Sequence, residues 1–106
     1  MILFGLKKED IDRINNVFAL YEGIESVFIY GSRAKGNFKL GSDIDLTIID
    51  NLLTFSMFLE IENKLDDLLL PYKIDISQKR KITNVDLISH IDRVGKLFYE
   101  RESSQG

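Results

Sequence analysis

Apolar positions recur every three or four residues in three stretches of the chain, and they alternate or run together in four others. Residues 7–21, "KKEDIDRINNVFALY", place Ile11, Ile14, Phe18 and Tyr21 at helical spacing, with Val17 widening the stripe. Glu9 and Asp10 suit the first turn of that helix, and Gly23 is expected to end it. Residues 26–30, "SVFIY", are β-branched and aromatic and predict a short buried strand that runs straight into Gly31-Ser32. Residues 44–49, "IDLTII", predict a second strand, with Asp50-Asn51 as a turn or cap. Thr54 then caps a second helix whose face carries Phe58, Ile61, Leu65 and Leu68, and Pro71 stops it. Residues 73–77, "KIDIS", alternate as a strand with one buried face, and "QKRK" follows as a basic loop. Thr83 or Asn84 caps a third helix holding Leu87, Ile88, Ile91 and Val94; Gly95 serves as its C-cap, and "KLFYE" forms a fourth strand. With no repeat and no linker, this is one α+β domain over residues 1–102, and residues 103–106 read as a frayed tail.

Composition narrows the setting. A chain of 106 residues carries one modest core. The absence of cysteine excludes disulfides and thiolate metal sites and suits a reducing cytoplasm, the expected location. The longest apolar runs fall far short of the ~20 residues that cross a bilayer, so no membrane partner is expected. The opening "MILFGLKKED" has no basic residue ahead of its apolar ones and reads poorly as a signal peptide. A net charge of −3 argues against general nucleic-acid binding, because contacts to phosphates supply most of that affinity. A single nucleotide held through a metal remains open.

Two carboxylates stand one residue apart at the start of an otherwise oily strand. Residues i and i+2 of a strand share a face at a separation of about 6.6 Å, so Asp43 and Asp45 repel each other there. Asp75, between Ile74 and Ile76, repeats the pattern on another predicted strand. If the two strands are neighbours, three carboxylates converge and require cations. Hard oxygen ligands favour Mg²⁺ or Mn²⁺, and paired ions of this kind serve phosphoryl and nucleotidyl transfer. The plainer alternatives stay open: Asp43 as a turn residue after Gly41-Ser42, and Asp75 as a charge guarding an edge strand. Asp50 has the opposite strand parity and stays outside the metal set.

The stretch "GSRAKG" supplies a complementary feature. A glycine at the end of a buried strand lets backbone approach a phosphate, and successive N–H groups form an anion-binding nest. Ser32 adds a hydroxyl, while Arg33 and Lys35 are placed to neutralise phosphate oxygens. His90, the sole histidine, lies mid-helix and reads as structural. Lys79, Arg80 and Lys81 read as a solvated loop, and Tyr30 as a strand residue beside the site rather than an acceptor.

"GSRAKGNFKLGSDIDL" resembles the signature of the polymerase-beta-like nucleotidyltransferases: Gly31-Ser32, ten intervening residues, then Asp43 and Asp45. Asp75 in "YKIDIS" matches the position of that family's third acidic residue, and the short length resembles its minimal prokaryotic members, the MNT proteins. The resemblance implies a nucleotidyltransferase fold, with a small mixed sheet and about three helices packed mainly on one face. It implies that Asp43 and Asp45 hold two Mg²⁺ ions, that Asp75 ligates one of them and helps deprotonate the attacking hydroxyl, and that Gly31 and Ser32 hold the β and γ phosphates of ATP. The implied reaction moves a nucleoside monophosphate, AMP from ATP, to an acceptor as pyrophosphate leaves. Minimal members are commonly paired with a HEPN protein as antitoxin and toxin, and some add AMP to a tyrosine of that partner. So small a domain also leaves little chain to complete a pocket, so a second subunit is expected: a HEPN-type protein or another copy. Two other functions compete with this one: a binding-only antitoxin with a remnant site, and a transferase acting on RNA or a small molecule.

Overall fold

The computed structural model describes residues 2–102; the expected frayed tail at 103–106 lies outside the described residues. A hairpin opens the chain, β1 (Ile2–Leu3) pairing antiparallel with β2 (Leu6–Lys7). Phe4 and Gly5 between them both have left-handed φ, 58° and 73°, the conformation that two-residue hairpin turns require. Strands of two residues carry no periodicity, so the hydrophobic pattern does not announce them. Then follow α1 (Lys8–Ala19), β3 (Ile24–Tyr30), α2 (Gly31–Lys35), β4 (Ile44–Asp50), α3 (Phe55–Asp66), β5 (Ile74–Gln78), a 3₁₀ turn at Lys79–Lys81, α4 (Val85–Val94) and β6 (Lys96–Glu100).

The main sheet is mixed, in the order β5-β4-β3-β6. β4 pairs antiparallel with β3, β3 antiparallel with β6, and β4 parallel with β5. One face carries Val27 opposite Ile48 and Ile29 opposite Leu46, all fully buried. These join Ile14 and Phe18 of α1 and Ile61 and Leu65 of α3 in one core cluster. Each such apolar side chain contributes about 1.5–3 kcal/mol by leaving water. The opposite face carries Phe28, Tyr30, Asp45, Thr47, Asp75 and Ser77, and α4 lies against it.

Several boundaries fall where tertiary contacts put them. α1 stops at Ala19, before Gly23, because the Arg101 guanidinium donates to the carbonyls of Phe18, Ala19, Tyr21 and Ile24 and satisfies the orphan acceptors of the helix end. α3 ends at Asp66, short of Pro71, and Leu69 then turns the chain with φ 55°. Its start is as expected, the Thr54 hydroxyl accepting from the Met57 N–H at 3.1 Å. Asn84 rather than Thr83 caps α4, accepting from the N–H groups of Asp86 and Leu87. Gly95 has extended backbone (φ −60°, ψ 140°), and a Cβ there would lie 2.5 Å from the Ile91 carbonyl oxygen. Close approach, not a left-handed cap, requires this glycine. The GSRAK stretch closes a short helix, so the described residues hold four α-helices, one more than the sequence pattern predicts. Asp50 is the last residue of β4 rather than a turn, with its buried carboxylate accepting from Arg80 Nε at 3.0 Å. The basic loop is thereby tied down, since Lys79 also pairs with Asp92 at 2.7 Å.

Candidate active site

Strand register does most of the assembly. β4 and β5 run parallel with Asp45 directly beside Asp75, and β3 and β4 run antiparallel with Tyr30 directly beside Asp45. These three side chains therefore point to the same face, in a row across three strands. Asp43 immediately precedes β4 and is exposed, and Asp75 is exposed on the edge strand. Asp45 is half-buried between them. Burial pushes its carboxyl above the ordinary 3.8, and the charges of Asp75 and then Asp43 push it in the same direction. The Asp45 carboxyl thus feels the charges of both other carboxylates.

Gly31 closes the other side. Its φ of 73° is left-handed, and a Cβ there would come 2.5 Å from Asp45 Oδ2. Glycine is required twice over, by its backbone and by the carboxylate against it. Its N–H donates to Nε2 of His90 at 3.2 Å, and the His90 ring meets the Tyr30 ring edge-on at 6.0 Å between centroids. Ser32 follows, half-buried, in the first turn of α2. Behind the row, the Ser77 hydroxyl donates to Thr47 Oγ1 at 3.0 Å. The Tyr30 hydroxyl is raised above its ordinary value, mainly by burial and next by the Asp45 charge.

Arg33 is a correction. It was expected to meet phosphate, yet it is 3 % exposed and turned inward. Its Nε and Nη2 donate to the Ser42 carbonyl at 3.1 and 2.9 Å, and its Nη1 to the Phe4 carbonyl at 3.0 Å. The guanidinium lies 5.2 Å from the Phe38 ring centroid and 5.0 Å from that of Tyr72. It fastens the loop carrying Ser42 and Asp43 to the N-terminal hairpin. Short loops leave main-chain carbonyls without partners, and a five-donor fork satisfies several at once. His90 is the opposite case: a residue set aside as structural that touches the site. Its approach to Gly31 spans 59 positions of sequence, which no local pattern reveals.

The donor set suits a hard divalent cation. Three carboxylates lie on one patch, Asp45 is strained by its neighbours' charge, and no lysine or arginine forms an ion pair with any of them among the described residues. Their oxygens are not drawn into a closed ligand cluster among those residues.

The family model "Polymerase beta, Nucleotidyltransferase" matches residues 12–104. No curated protein matches the chain. Among solved structures, a toxin-antitoxin crystal structure with AMP-PNP superposes with a TM-score of 0.68 at 20% identity, covering 92% of this chain and 76% of the other. A chain of the complex of the tri-AMPylated Shewanella oneidensis HEPN toxin with MNT antitoxin superposes with a TM-score of 0.64 at 18% identity, covering 89% and 72%. A putative nucleotidyltransferase from Sulfolobus solfataricus gives 0.54 at 21% identity, covering 88% and 78%. At these identities the likeness is one of fold.

Proposed function

Because the chain belongs to the polymerase beta nucleotidyltransferase family, we propose that it transfers AMP from ATP to a protein acceptor, a HEPN-type partner that it restrains as an antitoxin. The observation that carries this reading is the parallel register that sets Asp45 beside Asp75, in front of Gly31. Solved structures of similar fold add support: one holds AMP-PNP, and another pairs an MNT antitoxin with a tri-AMPylated HEPN toxin.

In this proposal Asp43, Asp45 and Asp75 hold two Mg²⁺ ions, or Mn²⁺. Ions held there would supply positive charge to the phosphoryl oxygens and the leaving pyrophosphate. Gly31 offers backbone N–H and Ser32 a hydroxyl to the β and γ phosphates. Arg33 takes no part in phosphate binding; it positions the loop that delivers Asp43. Asp75, exposed on the edge strand, takes the proton of the acceptor hydroxyl as its oxygen attacks the α phosphorus. The P–O bond to pyrophosphate breaks as the new P–O bond forms. No protein nucleophile is needed, because positioning and charge stabilisation supply the catalysis.

The test is incubation of the purified chain with labelled ATP, Mg²⁺ and its co-encoded neighbour. Label on the neighbour, abolished by Asp43→Asn or Asp45→Asn, is expected. Neutralisation of the neighbour without labelling, unaffected by either substitution, identifies a binding-only antitoxin instead. Label on RNA or a small molecule moves the acceptor class.

A further inference from the structure

The Gly31 N–H is the backbone donor that the proposed site offers to phosphate, and in this structure a side chain takes it. His90 Nε2 accepts from Gly31 at 3.2 Å, from a position held by the edge-on contact of the same ring with Tyr30. An imidazole that accepts through Nε2 carries its proton on Nδ1. It therefore turns a lone pair, not a donor, toward the space in front of the turn. A phosphate oxygen bonding to the Gly31 N–H needs that same space, and the lone pair repels it.

We propose that His90 is a built-in stand-in for a phosphate oxygen of the nucleotide: it holds the Gly31 N–H until the triphosphate arm displaces it. The inference rests on the nucleotide reading above and adds a residue and a movement to it. The exchange favours the ligand. At 3.2 Å the His90 bond is at the long end of its class, whereas a charged phosphate oxygen makes a shorter bond of roughly twice the strength. Asp45 also lies close to Gly31, its Oδ2 2.5 Å from where a Cβ would stand. The imidazole is the part that yields. It swings off with its Tyr30 contact broken, and α4, the helix laid across this face, registers the arrival of nucleotide.

A competitor of this kind lowers affinity, so its removal raises it. Losing one neutral hydrogen bond from the unliganded state corresponds to about 2- to 12-fold in dissociation constant. Calorimetric titration of Mg²⁺·ATP into the wild type, His90→Phe and His90→Ala measures this. The phenylalanine variant keeps a ring against Tyr30 and removes only the acceptor, so a cavity left by alanine cannot account for a shared result. Both variants are expected to bind about 2- to 12-fold tighter, and Mg²⁺ with inorganic tripolyphosphate is expected to show the same gain. In the wild type, the ¹⁵N signal of His90 Nε2 is expected to lose its hydrogen-bonded position as tripolyphosphate saturates the protein. Unchanged or weaker affinity in both variants, with wild-type binding intact, overturns the proposal alone, as does an Nε2 signal still bonded at saturation. No binding by the wild type or either variant removes the nucleotide reading itself, and this proposal with it.

Discussion

Asp45 is the residue on which the site's energetics turn. Its carboxyl is raised by burial and by Asp75 and Asp43, so the native state binds that proton more tightly than the unfolded chain does. Stability of the metal-free protein therefore falls as pH rises from the ordinary carboxylate range through the folded pKa, and the full penalty is present above it. Asp45→Asn removes the penalty. Solvent reaches the half-exposed carboxyl and screens the repulsion, so we expect a gain in metal-free stability at pH 7 of at most about 1 kcal/mol, measured by urea denaturation. The same variant is expected to lose the rise in melting temperature that Mg²⁺·ATP gives the wild type; a retained rise would count against a metal role for Asp45. Gly31→Ala puts a methyl group onto the Asp45 carboxylate in a left-handed backbone, at a cost of about 1–3 kcal/mol, with nucleotide binding lost. Denaturation and titration of that one variant test both effects. At this scale the sequence singled out candidate residues but not their orientation. The spacing of Gly31, Ser32, Asp43 and Asp45 was visible as a motif, and so was the Asp75 position. Whether Arg33 points out to phosphate or in to carbonyls depends on Phe4, Ser42, Phe38 and Tyr72, which no local pattern brings together.

Among the elements, β4 and the loop before it carry the site, and Arg33 is their fastening. Arg33→Met keeps apolar bulk against Phe38 and Tyr72 but leaves the Ser42 and Phe4 carbonyls without their donors. A loss of about 2–4 kcal/mol is expected. Nucleotide affinity measured well below the melting temperature should persist, which separates this role from phosphate binding; a loss of affinity without a loss of stability would reverse the assignment. The helix and strand pattern was largely legible because the apolar spacing is strong: α1, α3, α4, β3, β4, β5 and β6 each follow a stripe or run in the sequence. The ends were less so. α1 is closed by Arg101 from the far end of the chain, and α3 stops before its proline, so local breakers were the wrong signal. The β1-β2 hairpin was invisible because two left-handed residues and four strand residues carry no period.

For the whole molecule, the sheet order places the candidate carboxylates more than any one element does. A slip of one residue between β4 and β5 would turn Asp75 to the opposite face and separate it from Asp45. Parallel pairing leaves Asp75 exposed on the open edge, while the core on the other face is sealed by α1 and α3. Among the described residues, no helix is long and apolar enough to cross a membrane. The central claim is that Asp43, Asp45 and Asp75 share divalent ions in front of the Gly31 turn. Paramagnetic relaxation by Mn²⁺, bound with a non-hydrolysable ATP analogue, reads this directly from amide signals. The account predicts that Gly31, Asp43, Asp45 and Asp75 broaden together at the lowest Mn²⁺ addition, and that Asp45→Asn abolishes the effect. Broadening that spares Asp75, or that centres on another carboxylate cluster, would contradict it.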